Sequence, residues 1–89
     1  MNSEILDIAI LRVLQANKTR FGLPTQGITL LVKAYAVTPT EQQCYDRLNY
    51  LVLKGLAEEV KREVHPENSC WRITTTPNGG VVYLDERGL

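Results

Sequence analysis

The sequence predicts a small α+β domain: three helices, then a β-hairpin, then a short C-terminal helix. Three observations carry that expectation. Apolar residues recur at helical spacing over three separate stretches, closing near Ala16, Tyr35 and Lys54. After Gly55 the pattern changes to alternation, with Val60, Arg62 and Val64 of one parity and Trp71 and Ile73 two residues apart. Turn-forming residues punctuate these changes, at Pro24, Pro39, Gly55 and the run His65-Pro66-Glu67-Asn68-Ser69.

The first helix runs from a Ser3 cap to about Ala16. On a helical wheel Ile5, Leu6, Ala9, Ile10 and Val13 gather on one side, and Glu4, Asp7, Arg12 and Gln15 define the other. Ile8 and Leu11 lie among the polar set, so this helix has two apolar faces. One enters the core; the other is left for the C-terminal tail or a second subunit to cover. Asn17 to Pro24 is a loop containing Lys18, Arg20 and Gly22. Thr25 then caps a second helix whose Ile28, Leu31, Val32 and Tyr35 fall at i, i+3, i+4 and i+7. Ala36 to Pro39 is a turn, because proline lacks the backbone donor and disfavours helical geometry in the residue before it.

The third helix spans 40–54. Thr40 and Gln43 have the spacing of a capping box, and Cys44, Leu48, Leu51 and Val52 form one apolar stripe. Gly55 can take the left-handed conformation that ends a helix, with Lys54 near the negative end of the dipole and Leu56 turning back onto the last turn. The hairpin occupies 57–74, with an exposed tip at His65 to Ser69. Beyond it, Thr76 as a cap and Pro77 at the first position suit a helix over 77–86. Asn78-Gly79, between the β-branched runs Ile73 to Thr76 and Val81 to Tyr83, also suits a tight hairpin.

Size and composition bound the function. The 89 residues make one domain, 1–89, and a chain this short buries only about 60 to 65% of its unfolded surface, which leaves little room for an enzyme cleft. Hydrophobic content of 44% and charged content of 22% read as globular. There is no apolar run long enough to cross a bilayer, so no membrane association is expected. The stretch Ile5 to Leu14 is interrupted by Asp7 and Arg12 and lacks the flanks of a signal peptide. Cys44 and Cys70 have no metal spacing and read as reduced packing residues of a cytoplasmic protein. His65 is the only histidine, without partners at the spacing of a metal site or a catalytic relay, and no glycine-rich phosphate loop is present. The expectation is a non-enzyme with no cofactor and no metal.

The segment from Thr38 to Val60, TPTEQQCYDRLNYLVLKGLAEEV, resembles the pattern shared by many winged helix-turn-helix domains: a polar N-cap, spaced leucines, then Gly-Leu opening the wing. The resemblance covers about residues 3 to 87. It implies that the second and third helices form the helix-turn-helix and that 57–74 is the wing. It also favours a final helix at 77–86, because a strand ending in Thr, then Pro and Gly, then a helix often closes such domains. Its functional implication is sequence-specific binding of double-stranded DNA in transcriptional regulation, with a homodimer through the first helix as in dimeric members.

With the apolar stripe inward, Gln42, Asp46, Asn49, Tyr50 and Leu53 turn outward, and Gln43 and Arg47 lie on the flank. Gln and Asn can pair bidentately with adenine, and Arg with guanine or phosphate, so Gln42, Gln43, Arg47 and Asn49 suit the major groove. Thr38 and Thr40 can touch phosphate. Lys61, Arg62 and His65 resemble the basic wing tip that reaches the backbone or minor groove. The net charge of zero opposes this reading, yet residues 12 to 62 hold eight basic against four acidic side chains. Glu41 and Asp46 put negative charge beside the presumed phosphates, and an ordinary solvated helix face accounts for the same residues. Tyr50 and Leu53 fit a protein partner better than DNA, so the alternative is a docking or assembly module that binds no DNA.

Overall fold

The computed structural model describes residues 3–74. The expected helix at 77–86, and the competing hairpin at Asn78-Gly79, lie outside them. Helices α1 (Ser3–Ala16), α2 (Thr25–Leu31) and α3 (Glu41–Leu53) pack on one another and on a three-stranded antiparallel sheet. Its strands β1 (Leu23–Pro24), β2 (Ala57–Lys61) and β3 (Cys70–Ile73) lie in the order β1-β3-β2. Three helices and a hairpin agree with the α+β expectation. The two-residue β1 falls where the sequence reads as loop. Leu23 pairs with Trp71 and Pro24 with Cys70. Gly22 permits that approach: its φ is 75°, and a β-carbon there would lie 2.5 Å from the Trp71 carbonyl oxygen.

The buried arc of α1 differs from the expected one. Leu11, assigned to a second apolar face, is fully buried, and Ile5, assigned to the core, is 51% exposed. Asp7 is buried as well. The arc is turned toward Asp7 and Leu11 because α3 packs on that flank and sends Arg47 to the Asp7 carboxylate. Ile10, Leu11, Leu14, Ile28, Val32, Cys44, Leu48, Leu51 and Trp71 are the largest apolar side chains fully removed from water, and they join all three helices to β3.

Thr25 does not cap α2. Pro24 holds the N-cap place with no side-chain hydrogen bond, and Thr25 turns inward instead. The Thr25 hydroxyl accepts from Trp71 Nε1 at 2.8 Å and donates to the Ser69 carbonyl at 3.2 Å. After Leu31 the chain tightens into a 3-10 turn, Val32–Tyr35, closed by Ala36 in the left-handed region at φ 62°. Ile28 and Val32 are buried while Leu31 and Tyr35 are exposed, and winding at three residues per turn from Val32 carries Tyr35 off the expected i+7 line.

The expected construction of α3 is present at both ends. Thr40 Oγ1 accepts from Gln43 N, and Gln43 Oε1 accepts from Thr40 N, closing the capping box at 3.1 and 2.8 Å. At the other end Gly55 has φ 74°. Leu56 N donates to Leu51 O and Gly55 N to Val52 O, the paired bonds of a Schellman stop.

The hairpin is shorter than its alternation suggests. A bulge between Glu59 and Lys61 ends β2 at Lys61, leaving Val64 outside the strand and 92% exposed. Glu58 and Arg72 face each other across the two strands and pair at 2.7 Å. The tip folds back onto α2 and α3 and does not project. Gln26 donates to Asn68 at 3.0 Å, Thr25 N donates to Ser69 O at 2.9 Å, and Ser69 is buried. Among the described residues no helix is long and apolar enough to cross a membrane, and no cluster of His, Cys, Asp and Glu could hold a metal ion.

Candidate nucleic-acid interface

The candidate surface begins at the turn before α3. Thr38 is exposed there, and Thr40 follows at the cap. The capping box fixes the direction of the first turn of α3 and uses the Gln43 side-chain oxygen, so Gln43 presents its amide in a set orientation. Gln42 and Asp46 are both exposed and share a hydrogen bond from Gln42 Nε2 to Asp46 Oδ1 at 2.9 Å. One turn further, Asn49 is half-buried and donates to the Tyr45 carbonyl at 3.0 Å. The expected outward set therefore lies on one side of α3, opposite the buried Cys44, Leu48 and Leu51.

Arg47 is committed elsewhere. Its Nε and Nη2 donate to the two Asp7 oxygens, both at 2.7 Å, and its guanidinium stacks over the Tyr50 ring at 4.2 Å. A carboxylate inside the fold takes the fork that would address guanine. The sequence holds a sign of this. Asp7 precedes Leu11 and Leu14 by four and seven residues, which places a charge in the middle of an apolar stripe, where it needs a counter-ion.

Arg62 joins the hairpin to α3. Nη1 donates to the Tyr45 hydroxyl at 2.6 Å, Nη2 to Asn49 Oδ1 at 3.3 Å, and Nε to Glu59 at 3.2 Å. This cluster brings Arg62 and Asn49, two of the expected contact residues, side by side. It depends on Tyr45, which sequence reasoning left out. Tyr45 and Asn49 stand four residues apart on one flank of a helix, the one available signal of it. Tyr45 also meets Trp71 edge to face, ring centroids 5.7 Å apart, so the surface cluster rests on the core.

Lys61 and His65 are exposed and lie beside carboxylates. Lys61 pairs with Glu63 at 2.8 Å, and His65 Nδ1 lies 3.9 Å from Glu67. The hydrogen bond that the Lys61 ammonium donates to Glu63 pushes it up from its ordinary range, and the charge of Glu59, with a smaller contribution from Tyr45, does the same for Arg62. Both therefore stay cationic at neutral pH. The face formed by Gln42, Asp46, Asn49, Lys61 and Arg62 is polar with interleaved charges. It adjoins an apolar end, where Leu53 is 86% exposed and Tyr50 is flanked by Arg47 and by Lys54, whose ammonium lies 5.5 Å from the ring. No protein-family model matches the chain, and no curated protein or solved structure shows significant similarity to it.

Proposed function

We propose that this chain is a winged helix-turn-helix domain that binds double-stranded DNA in transcriptional control. In this reading α3 enters the major groove and the β2–β3 hairpin serves as the wing. The observation that carries it is the junction of α3 with the hairpin. A capped helix with a polar outer face stands beside two exposed cations, and Arg62 bridges them through Tyr45 and Asn49. Gln42 reads base edges, helped by the Gln43 amide, while Thr38, Thr40, Lys61, Arg62 and His65 hold phosphates; Asn49, whose amide already donates to the Tyr45 carbonyl and accepts from Arg62, serves by holding Arg62 in place. The carboxylates beside Lys61 and Arg62 do not bar this role. Exposed ion pairs are worth at most about 1 kcal/mol, and a phosphate offers each cation an equivalent partner. Arg47 is no longer a base reader in this scheme; by stacking on Tyr50 it fixes the outer face from behind. Two free cysteines fit a cytoplasmic setting.

A specific observation favours a second reading, docking of a protein partner. Leu53 and Tyr50 are exposed at the C-terminal end of α3, where apolar surface adds nothing to phosphate binding.

Fluorescence anisotropy with a randomised duplex pool, from low to physiological salt, separates the two. Under the DNA reading, Lys61→Glu with Arg62→Glu weakens binding to every duplex and flattens the salt dependence by about 0.9 per lost phosphate contact. Gln42→Ala then relaxes base preference by about 1 to 3 kcal/mol. Thermal melts of each variant control for stability. Absence of binding at low salt, together with loss of partner capture in Tyr50→Ala or Leu53→Ala, would replace the DNA reading with docking.

A further inference from the structure

Gln42 and Asp46 stand one turn apart on the outer face of α3, both exposed, and the hydrogen bond from Gln42 Nε2 to Asp46 Oδ1 at 2.9 Å joins their side chains. A glutamine amide left to itself turns about its last torsion and offers a ligand either its oxygen or its nitrogen. A carboxylate ends that freedom, because it has acceptors only and must take the amide nitrogen. What remains of the Gln42 amide is one N–H and one oxygen, held in a set order. Asp46 keeps a second oxygen, again an acceptor. The pair thus presents two acceptors and one donor, and it asks each base that it faces for an amino group.

We propose, on the footing of the DNA reading, that this pair sets the base preference of α3, with Gln42 over an adenine and Asp46 over a cytosine at neighbouring base pairs. In the major groove adenine shows its N6 amino group beside the N7 acceptor, the complement of an amide oxygen and N–H, and cytosine shows its N4 amino group. Guanine shows O6 and N7 and thymine shows O4, so either one sets an acceptor against the oxygen of Gln42 or of Asp46. Side-chain tips 2.9 Å apart suit bases stacked about 3.4 Å apart, which makes the two base pairs adjacent. The negative charge of Asp46 acts in the same sense. It repels phosphates on every duplex, and only a base with an amino group offsets that repulsion. Asp46 therefore lowers overall affinity and raises discrimination.

Selection of the full chain's ligands from a randomised duplex pool at low salt, followed by sequencing, reads the preference, and fluorescence anisotropy on the unselected pool reads overall affinity. The native chain should enrich an A·T pair beside a G·C pair. Gln42→Ala should lose the A·T preference, about tenfold, and keep the G·C preference. Asp46→Ala and Asp46→Asn should lose both, since the Gln42 amide is then free to turn. Asp46→Ala should also bind the unselected pool more tightly than the native chain, which loss of a merely structural contact would not produce. Replacing the enriched adenine by 2-aminopurine, which has no N6 amino group, should weaken the native chain about tenfold and leave Gln42→Ala unaffected. Both side chains are exposed, so circular dichroism melts should match across the set. A selected motif without the adjacent pairs, or an Asp46→Ala variant that keeps the A·T preference or binds the pool more weakly, would overturn the proposal and leave the DNA reading standing. No duplex retained at low salt would overturn both.

Discussion

Helices α2 and α3 begin in opposite ways. α3 is closed by its own first turn: Thr40 and Gln43, three residues apart, satisfy each other's backbone donors. α2 has no side-chain cap, although a threonine stands at its first position. That threonine is held by Trp71 and by the Ser69 carbonyl, across 46 and 44 residues of chain. A helix start that satisfies itself can form before the rest of the molecule. One that depends on a distant strand is complete only when the sheet is. The N-terminus of α2 is thus the latch that pins the folded-back hairpin tip, while that of α3 is an independent unit whose outer face stays available.

The sharpest way to break this comparison is to remove the distant partner. Trp71→Ala empties a fully buried site and takes away the indole donor that the Thr25 hydroxyl accepts from, and it should cost about 3 to 5 kcal/mol in urea unfolding, close to the whole stability of so small a domain. A cost under about 1 kcal/mol would mean that α2 does not depend on the latch. Next in size is Arg47→Ala, which leaves the Asp7 carboxylate buried without its counter-ion. It should destabilise by about 3 kcal/mol, the low end for buried pairs because Arg47 keeps some exposure, and adding Asp7→Leu should recover most of that loss. If the double variant is no more stable than the single, the pair is not the tie between α1 and α3.

The same contrast explains what the sequence makes legible. Features whose partners lie within four residues are readable from spacing alone: the capping box, the Gly55 stop, the stripe of Cys44, Leu48 and Leu51. Features completed at long range are not. Thr25 looks like a cap because threonine before a helix usually is one, and nothing local announces that Trp71 will take its hydroxyl. Arg47 looks like a base reader from the wheel of α3, yet its partner sits on α1. The hairpin cluster of prolyl and polar residues announces a turn, but whether that turn projects or folds back depends on Gln26 and Thr25. The outward set of α3 was legible because one strong apolar stripe fixes the opposite face. Its use by Arg62 and Tyr45 was not, because two elements had to be brought together first.

A smaller effect sharpens the difference between the two helix starts. Thr40→Ala should cost about 1 kcal/mol, and Gln43→Ala added to it should cost little more, since the two bonds form one reciprocal unit. Thr25→Val, of nearly the same shape, leaves Trp71 Nε1 buried without an acceptor and should cost about 1 to 3 kcal/mol. Hydrogen exchange separates them further. Thr40→Ala should speed exchange only in the first turn of α3, while Thr25→Val should do so in both α2 and β3. Equal and local effects from both would erase the distinction.

The last prediction concerns the seam where the two helices meet. Cys44 on α3 is fully buried, and Thr29 of α2 supplies its side-chain hydrogen bond. Burial, the largest influence, pushes the thiol up from its ordinary range; the bond from Thr29 offsets part of this, and the charge of Glu41 adds slightly to it. The sign of the linkage follows from that direction. As pH rises past about 8.5 the unfolded thiol ionises first while the folded one keeps its proton, so the folded state loses ground. The contribution is fully present below the unfolded value and is lost as pH climbs toward the raised one. Other groups titrate in the same window, so the measurement is a difference: the melting temperature of the native chain minus that of Cys44→Ala, at pH 7 and at pH 10. Alanine removes the thiol's packing at both pH values alike, and only the proton linkage changes between them. The difference should therefore shrink at pH 10. If it stays constant, the thiol reaches water there, and the seam between α2 and α3 is looser than its burial indicates.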